Sequence, residues 1–127
     1  MSSGKQRPPG PELLVLTRWE EFMGWFLPQT NRWPKSLRFT LCQRVQDHGL
    51  DIVELLVGAR YDRNGREQAL AEANLKLEKI RILCRLAMQA QAMPAKSFET
   101  AMRGVDETGR MLHGWRERAR GSKGGTP

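Results

Sequence analysis

The sequence is poor in the residues that build catalytic and metal sites. Its 127 residues include only two histidines, His48 and His113, and two cysteines, Cys42 and Cys84. The cysteines stand in no zinc or redox spacing. Both fall at apolar positions of helical patterns, which predicts buried thiols in a reducing compartment. His48 lies on an apolar stripe, where a buried histidine hydrogen-bonded to a neighbouring helix is the default. His113 falls near the end of a helix, where a cation suits the dipole. Neither has a Ser or Cys partner that sequence can place beside it, so nucleophilic catalysis has no support. A glycine-rich phosphate loop is also missing. Asp47 and Asp51 could suggest a metal, but no histidine shares their face and Arg44 stands beside them, so a salt-bridge strip is the better reading. These absences predict a non-enzyme with no cofactor and no metal. No apolar run approaches the roughly 18 residues of a membrane span. The opening MSSGKQRPPGPE has no apolar signal core, so the expected compartment is the cytoplasm.

What is present is helical periodicity over a length suited to one domain. The first helix is expected from about Leu13 to about Thr30, with Val15, Trp19, Phe22, Met23 and Phe26 on its apolar face and Pro28 kinking or ending it early. Asn31-Arg32-Trp33-Pro34 forms a turn into a second helix that reaches about Tyr61, with a core stripe of Leu41, Val45, His48, Ile52, Leu55 and Ala59. Asp62-Arg63-Asn64-Gly65 reads as a turn. The third helix, about Arg66 to Ala92, buries Leu70, Ala73, Leu77, Ile80, Cys84 and Ala87. Pro94 begins the fourth, which carries Phe98, Ala101, Val105, Gly109, Leu112 and Trp115. Trp19 and Trp115 fit core faces, while Trp25 or Trp33 could anchor an interface. The expected fold is all-α, an up-down-up-down four-helix bundle over residues 13–118. Residues 1–12 and 119–127, rich in Gly and Pro, read as a disordered lead-in and a disordered basic tail.

Helices two and three carry apolar residues beyond one core stripe. Phe39, Leu50, Val53 and Val57 on one, and Leu75, Ile82, Leu86 and Met93 on the other, point away from the predicted core. Left in water they would form a patch that a monomer rarely tolerates. They predict a homo-oligomer joined through the outer faces of these helices; the alternative is that long neighbouring side chains cover them.

Twenty-one Lys and Arg against fourteen Asp and Glu give a net charge of +7. Such a surplus favours an acidic partner, nucleic acid being the commonest. Residues 63–92 hold +3 of it and residues 119–127 hold +2. Arg63 and Arg66 cluster in the turn, while Lys76, Lys79, Arg81 and Arg85 flank the third helix's core stripe. Pairs such as Glu72 with Lys76 and Glu78 with Arg81 neutralise part of this, each worth a few tenths of a kcal/mol. Three acids, Glu67, Glu72 and Glu78, cannot neutralise six cations.

Several strings then form an ordered set: Trp19 with Phe22, Pro34-Lys35-Ser36, Arg38-Phe39-Thr40, Asp51, Glu54-Leu55 and Ala59-Arg60-Tyr61. They continue through Asn74-Leu75, Leu77-Glu78-Lys79, Arg81, Arg85, Asp106-Glu107, Gly109-Arg110-Met111 and Gly114-Trp115. With these the chain resembles the accessory variability determinant (Avd) of diversity-generating retroelements, within a four-helix-bundle superfamily that includes the ribosomal-RNA intervening-sequence proteins. The resemblance implies a homopentameric barrel that binds a reverse transcriptase and RNA, with cDNA a further partner, and supports mutagenic copying without being the polymerase. Arg38, Arg60, Lys79, Arg81, Arg85 and Arg110 match family positions and are its candidates for nucleic-acid or polymerase contact. For Arg110 the competing role is a pair with Asp106, four residues before it. Pro28, Gly58 and the proline-rich lead-in depart from the family pattern. The alternative function is a protein-only structural or interaction bundle, in which charge serves solubility.

Overall fold

The computed structural model describes residues 10–124, and within them every regular element is helical. Helix α1 spans Pro11–Asn31, α2 Gln43–Tyr61, α3 Arg66–Gln89 and α4 Ala95–Gly124. A 3-10 turn, Lys35–Leu37, and a π-helical turn, Arg38–Cys42, lead into α2. Residues matched across the seams show that sequence neighbours run antiparallel. Trp19 and Thr30 of α1 meet Gly49 and Gln46 of α2. Asp51 of α2 meets Lys76 of α3. Glu67 and Arg81 of α3 meet Arg116 and Asp106 of α4. With α1 also packed on α4, the four helices close an up-down-up-down bundle.

Pro28 does not end α1, which continues to Asn31. Pro28 removes the N–H that would bind the Gly24 carbonyl, but both residues are exposed, so that carbonyl stays open to water instead of being buried unpaired. The other end also differs from expectation: α4 runs on through 119–124, where a disordered tail was expected, and α1 starts at Pro11. The remainder of the expected lead-in, residues 1–9, and of the tail, residues 125–127, lies outside the described residues.

The core follows the predicted stripe of α3 residue for residue: Leu70, Ala73, Leu77, Ile80, Cys84 and Ala87 are all buried. On α1, Val15, Trp19, Met23 and Phe26 are buried and Phe22 is half-buried. On α4, Ala101, Val105, Leu112 and Trp115 are buried as expected, Thr108 joins them, and Phe98 and Gly109 are only half-buried. The stripe of α2 needs correction. Val45, Ile52 and Ala59 hold, but Cys42, Gly49 and Leu56 are buried where Leu41, His48 and Leu55 were expected. Leu41, His48 and Leu55 occupy the flank toward α3, whereas the other three face α1. Gly49 explains the choice: with no side chain there, α1 approaches closely enough for the Trp19 indole N–H to donate to the Gly49 carbonyl at 2.9 Å.

Helix α3 ends at Gln89, earlier than expected, because Gln91 adopts the left-handed conformation (φ 60°). The Gln91 and Ala92 N–H groups then donate back to Met88 and Ala87, the paired bonds of a Schellman cap. This turn carries Met93 inward. Met93, expected on the oligomer face, is 3% exposed and belongs to the core, since a helical angle cannot be extended past the helix end. Val53 is half-buried and packs on the core. The other six predicted outward residues, Phe39, Leu50, Val57, Leu75, Ile82 and Leu86, are exposed. At about 100° per residue they form separate stripes. Leu50 and Val57 lie on the α1-facing flank of α2, as does Gln46, which bonds to Thr30. Leu75, Ile82 and Leu86 lie on the outer side of α3. The acidic row Asp47, Asp51 and Glu54 separates the two, with Asp51 bonded to Lys76 across the seam.

Candidate nucleic-acid interface

Antiparallel packing gathers charge that the linear sequence scatters. The α2–α3 turn and the C-terminal half-turns of α4 meet at one end of the bundle, joined by Glu67, whose Oε2 accepts from Arg116 at 2.8 Å and from Arg120 at 2.9 Å. Six arginines, Arg60, Arg63, Arg66, Arg116, Arg118 and Arg120, therefore share this pole with three carboxylates, Asp62, Glu67 and Glu117. The bond from Arg116, helped by Arg120, holds the Glu67 carboxyl below its ordinary value although burial works the other way. Tyr61 stands 75% exposed at the end of α2, with the Arg60 guanidinium 5.3 Å from its ring centroid. An exposed ring under a guanidinium, beside arginines, can stack a base while the cations meet phosphates.

The predicted basic residues divide by what already holds them. Arg66 donates through Nε to the Ala59 carbonyl at 2.6 Å and through Nη2 to the Arg60 carbonyl at 3.2 Å, capping α2, and lies over the Trp115 ring. Lys76 bonds to Asp51 at 3.2 Å, not to Glu72, because the cross-helix partner lies directly over the seam. Arg81 is held by Glu78, as the spacing predicts, and also by Asp106 of α4. These three brace the subunit. Asp106 is thereby turned from Arg110, and the expected Asp106–Arg110 pair does not form. Arg38, Arg63, Lys79, Arg85 and Arg110 are exposed and form no ion pair within 4 Å among the described residues. Lys79 and Arg85 lie along α3, Arg63 in the turn at the pole, Arg38 in the π-helical turn and Arg110 on α4. No single patch collects all nine predicted cations. Sequence reasoning missed Tyr61, Arg116, Arg118 and Arg120 as parts of the pole, because charge was summed along the chain and Arg120 was assigned to a tail beyond the bundle.

A family model described as bAvd-like matches residues 13–119. The chain belongs to the bAvd-like family. That span takes in all four helices, and it agrees with the resemblance to accessory variability determinants carried by the strings from Trp19 to Trp115. The family is of the accessory, non-catalytic type. No curated protein matches the bAvd-like chain.

The remaining titratable groups also have structural explanations. His48 is half-buried at the α2–α3 seam, and its buried Nδ1 has no hydrogen-bond partner among the described residues, where a bond to a neighbouring helix was expected. Burial, with Lys76 and Lys79 adding to it against Asp51 and Asp47, pushes it below its ordinary 6.5. Both thiols are buried: Cys42 Sγ donates to the Thr30 carbonyl at 3.3 Å, and burial pushes Cys84 up to about 12. Trp33 is 6% exposed and so is no interface anchor; Trp25 is half-buried. Among the described residues no three His, Cys, Asp or Glu side chains converge as a metal site, and no helix is long and apolar enough to cross a membrane.

Proposed function

We propose that this chain is the accessory protein of a diversity-generating retroelement: a basic homo-oligomeric adaptor, pentameric by family resemblance, that holds a reverse transcriptase on its template RNA and cDNA during mutagenic copying. The family match over residues 13–119 carries the reading. The basic pole and the five unpaired cations support a partner rich in phosphate, and the apolar stripes support assembly. Those stripes differ in position and composition, so the natural pairing is α2 of one subunit against α3 of the next. Such a head-to-tail contact closes a ring instead of a two-fold dimer. Neighbouring subunits would repeat the basic pole around one rim.

Light scattering tests the scaffold: a pentameric mass at moderate and at high salt is expected, and a monomer removes it. Val57→Asp and Ile82→Asp each spoil one side of a head-to-tail contact. Each alone should give monomers, and a mixture should give a heterodimer through the one intact pair of faces. Dimers of either variant alone would show that like stripes pair with like. RNA affinity should fall steeply with salt, because each neutralised phosphate releases counterions. Arg63→Ala, Lys79→Ala and Arg85→Ala together should lower the salt slope by about 3 if each meets one phosphate. A protein-only bundle, favoured by the internal bonding of Arg66, Lys76 and Arg81, predicts no RNA binding at about 50 mM salt and no effect of the triple variant.

A further inference from the structure

A cleft on the opposite side of the bundle from the α2–α3 seam is built from different residues. It is an open groove of about 500 Å³ between α1 and α4, lined by Arg18, Glu21, Phe22, Trp25, Thr100, Arg103, Gly104, Glu107 and Arg110. That volume falls within the range of sites that hold a small planar ligand. Gly104 makes the groove: the Phe22 ring occupies the space where a side chain on residue 104 would project, with Cε1 2.6 Å from an ideal Cβ position. Trp25 packs against Phe22 and Phe26, with ring centroids 5.9 Å and 6.3 Å away. Its indole is the one partly exposed tryptophan, since Trp19, Trp33 and Trp115 are at most 6% exposed.

Arg18, Arg103 and Arg110 are exposed around this ring, and among the described residues none forms an ion pair within 4 Å even though Glu21 and Glu107 line the same groove. Guanidinium groups left unpaired beside available carboxylates are free to meet phosphate. An indole held by its neighbours offers a π-face at little further entropic cost. We infer that the α1–α4 groove binds a nucleotide of single-stranded nucleic acid, with its base against Trp25 and the flanking phosphates on Arg18 and Arg103. This rests on the nucleic-acid reading above and adds a second contact to the basic pole, so that a strand leaving the pole is gripped again along the α4 side. Double-stranded RNA cannot use the groove, because its bases are already stacked.

Trp25 reports on its own site. Adding a short single-stranded RNA oligonucleotide to the full chain at about 50 mM salt should quench tryptophan emission, while the same sequence as a duplex should not. Trp25→Leu, which keeps an apolar filler against Phe22, should weaken single-strand binding about fivefold or more, the lower end for loss of one stacked base. Arg18→Gln and Arg103→Gln should each lower the salt slope by about 1, with thermal melts unchanged because neither arginine bonds to another side chain among the described residues. Anisotropy of a labelled oligonucleotide separates the possible failures. Single-strand binding with unchanged tryptophan emission and wild-type affinity in Trp25→Leu and Arg103→Gln overturns the groove while leaving the pole intact. Equal quenching by duplex overturns the stacked base. No binding by anisotropy removes both this site and the nucleic-acid reading on which it rests.

Discussion

Two glycines, Gly58 and Gly104, should respond in opposite directions to the same substitution. Both lie inside helices, where Gly→Ala gains up to about 1 kcal/mol through backbone entropy alone. Gly58 on α2 is exposed, and an added Cβ there meets nothing within 4 Å, so Gly58→Ala should realise most of that gain. At Gly104 the Cβ would meet the Phe22 ring, including Cγ at 3.3 Å. That ring cannot simply swing away, because it is stacked between Trp19 at 4.7 Å and Phe26 at 5.0 Å. Overpacking of this kind costs about 1–3 kcal/mol, and displaced aromatic stacking adds to it. The net for Gly104→Ala is a loss of about 1–2 kcal/mol once the propensity gain is subtracted. The pair should therefore differ by about 2–3 kcal/mol, a gap of roughly ten degrees in Tm for a domain of this size. Urea unfolding, with a check that the m-value is unchanged, measures it directly. If Gly104→Ala matches or exceeds the wild type, α1 and α4 do not pack with the Phe22 ring in the place of a residue-104 side chain, and the groove beside it loses its basis.

Three further outcomes are expected. Gln91→Gly should stabilise the chain by about 0.5–1 kcal/mol, since Gln91 holds a left-handed conformation at φ 60° that glycine adopts without strain; a destabilised variant on thermal melting would contradict the cap. Because the Glu67 carboxyl is held below its ordinary 4.5, its contribution is complete above about that pH and is lost as pH falls through the folded value. With the side chain 41% exposed and solvent-screened, that contribution is at most about 1 kcal/mol, and Glu67→Gln should flatten the acid limb of a stability–pH curve by that much and no more. Cys84, pushed up to about 12, should resist iodoacetamide at about pH 8 until the chain unfolds, and modification at the rate of a free thiol under native conditions would contradict its burial.

Most of the fold could be read from periodicity, and each departure has a local cause. The core stripe of α3 was legible residue for residue because charged residues flank it, although the helix ends at Gln89 and its outer side carries a second apolar row. On α2 each disputed choice lay between adjacent residues, Leu41 or Cys42, His48 or Gly49, Leu55 or Leu56. Spacings of four and three residues placed Leu41, His48 and Leu55 on the stripe, and the residue after each satisfies helical periodicity nearly as well. Packing chose the smaller residue at Gly49 because α1 needed the space for Trp19. Met93 failed for a different reason: its position was extrapolated along a helix that the left-handed Gln91 had already ended.

The candidate site was less legible because charge acts through space while sequence sums run along the chain. Counting by segment made α3 the basic element, yet Lys76 and Arg81 of that helix are held by Asp51 and Asp106 from its two neighbours. The cations left available are mostly elsewhere. The pole arises only when the α2–α3 turn is laid beside the end of α4, and Glu67 makes that junction by holding Arg116 and Arg120, 49 and 53 residues away. The same folding step removes cations from α3's account and adds them to the bundle end. A linear sum can therefore fix the net charge but cannot show which arginines remain free to meet phosphate. That follows from which carboxylate each guanidinium reaches first, and here Asp106 reaches Arg81 and leaves Arg110 open at the edge of the α1–α4 groove.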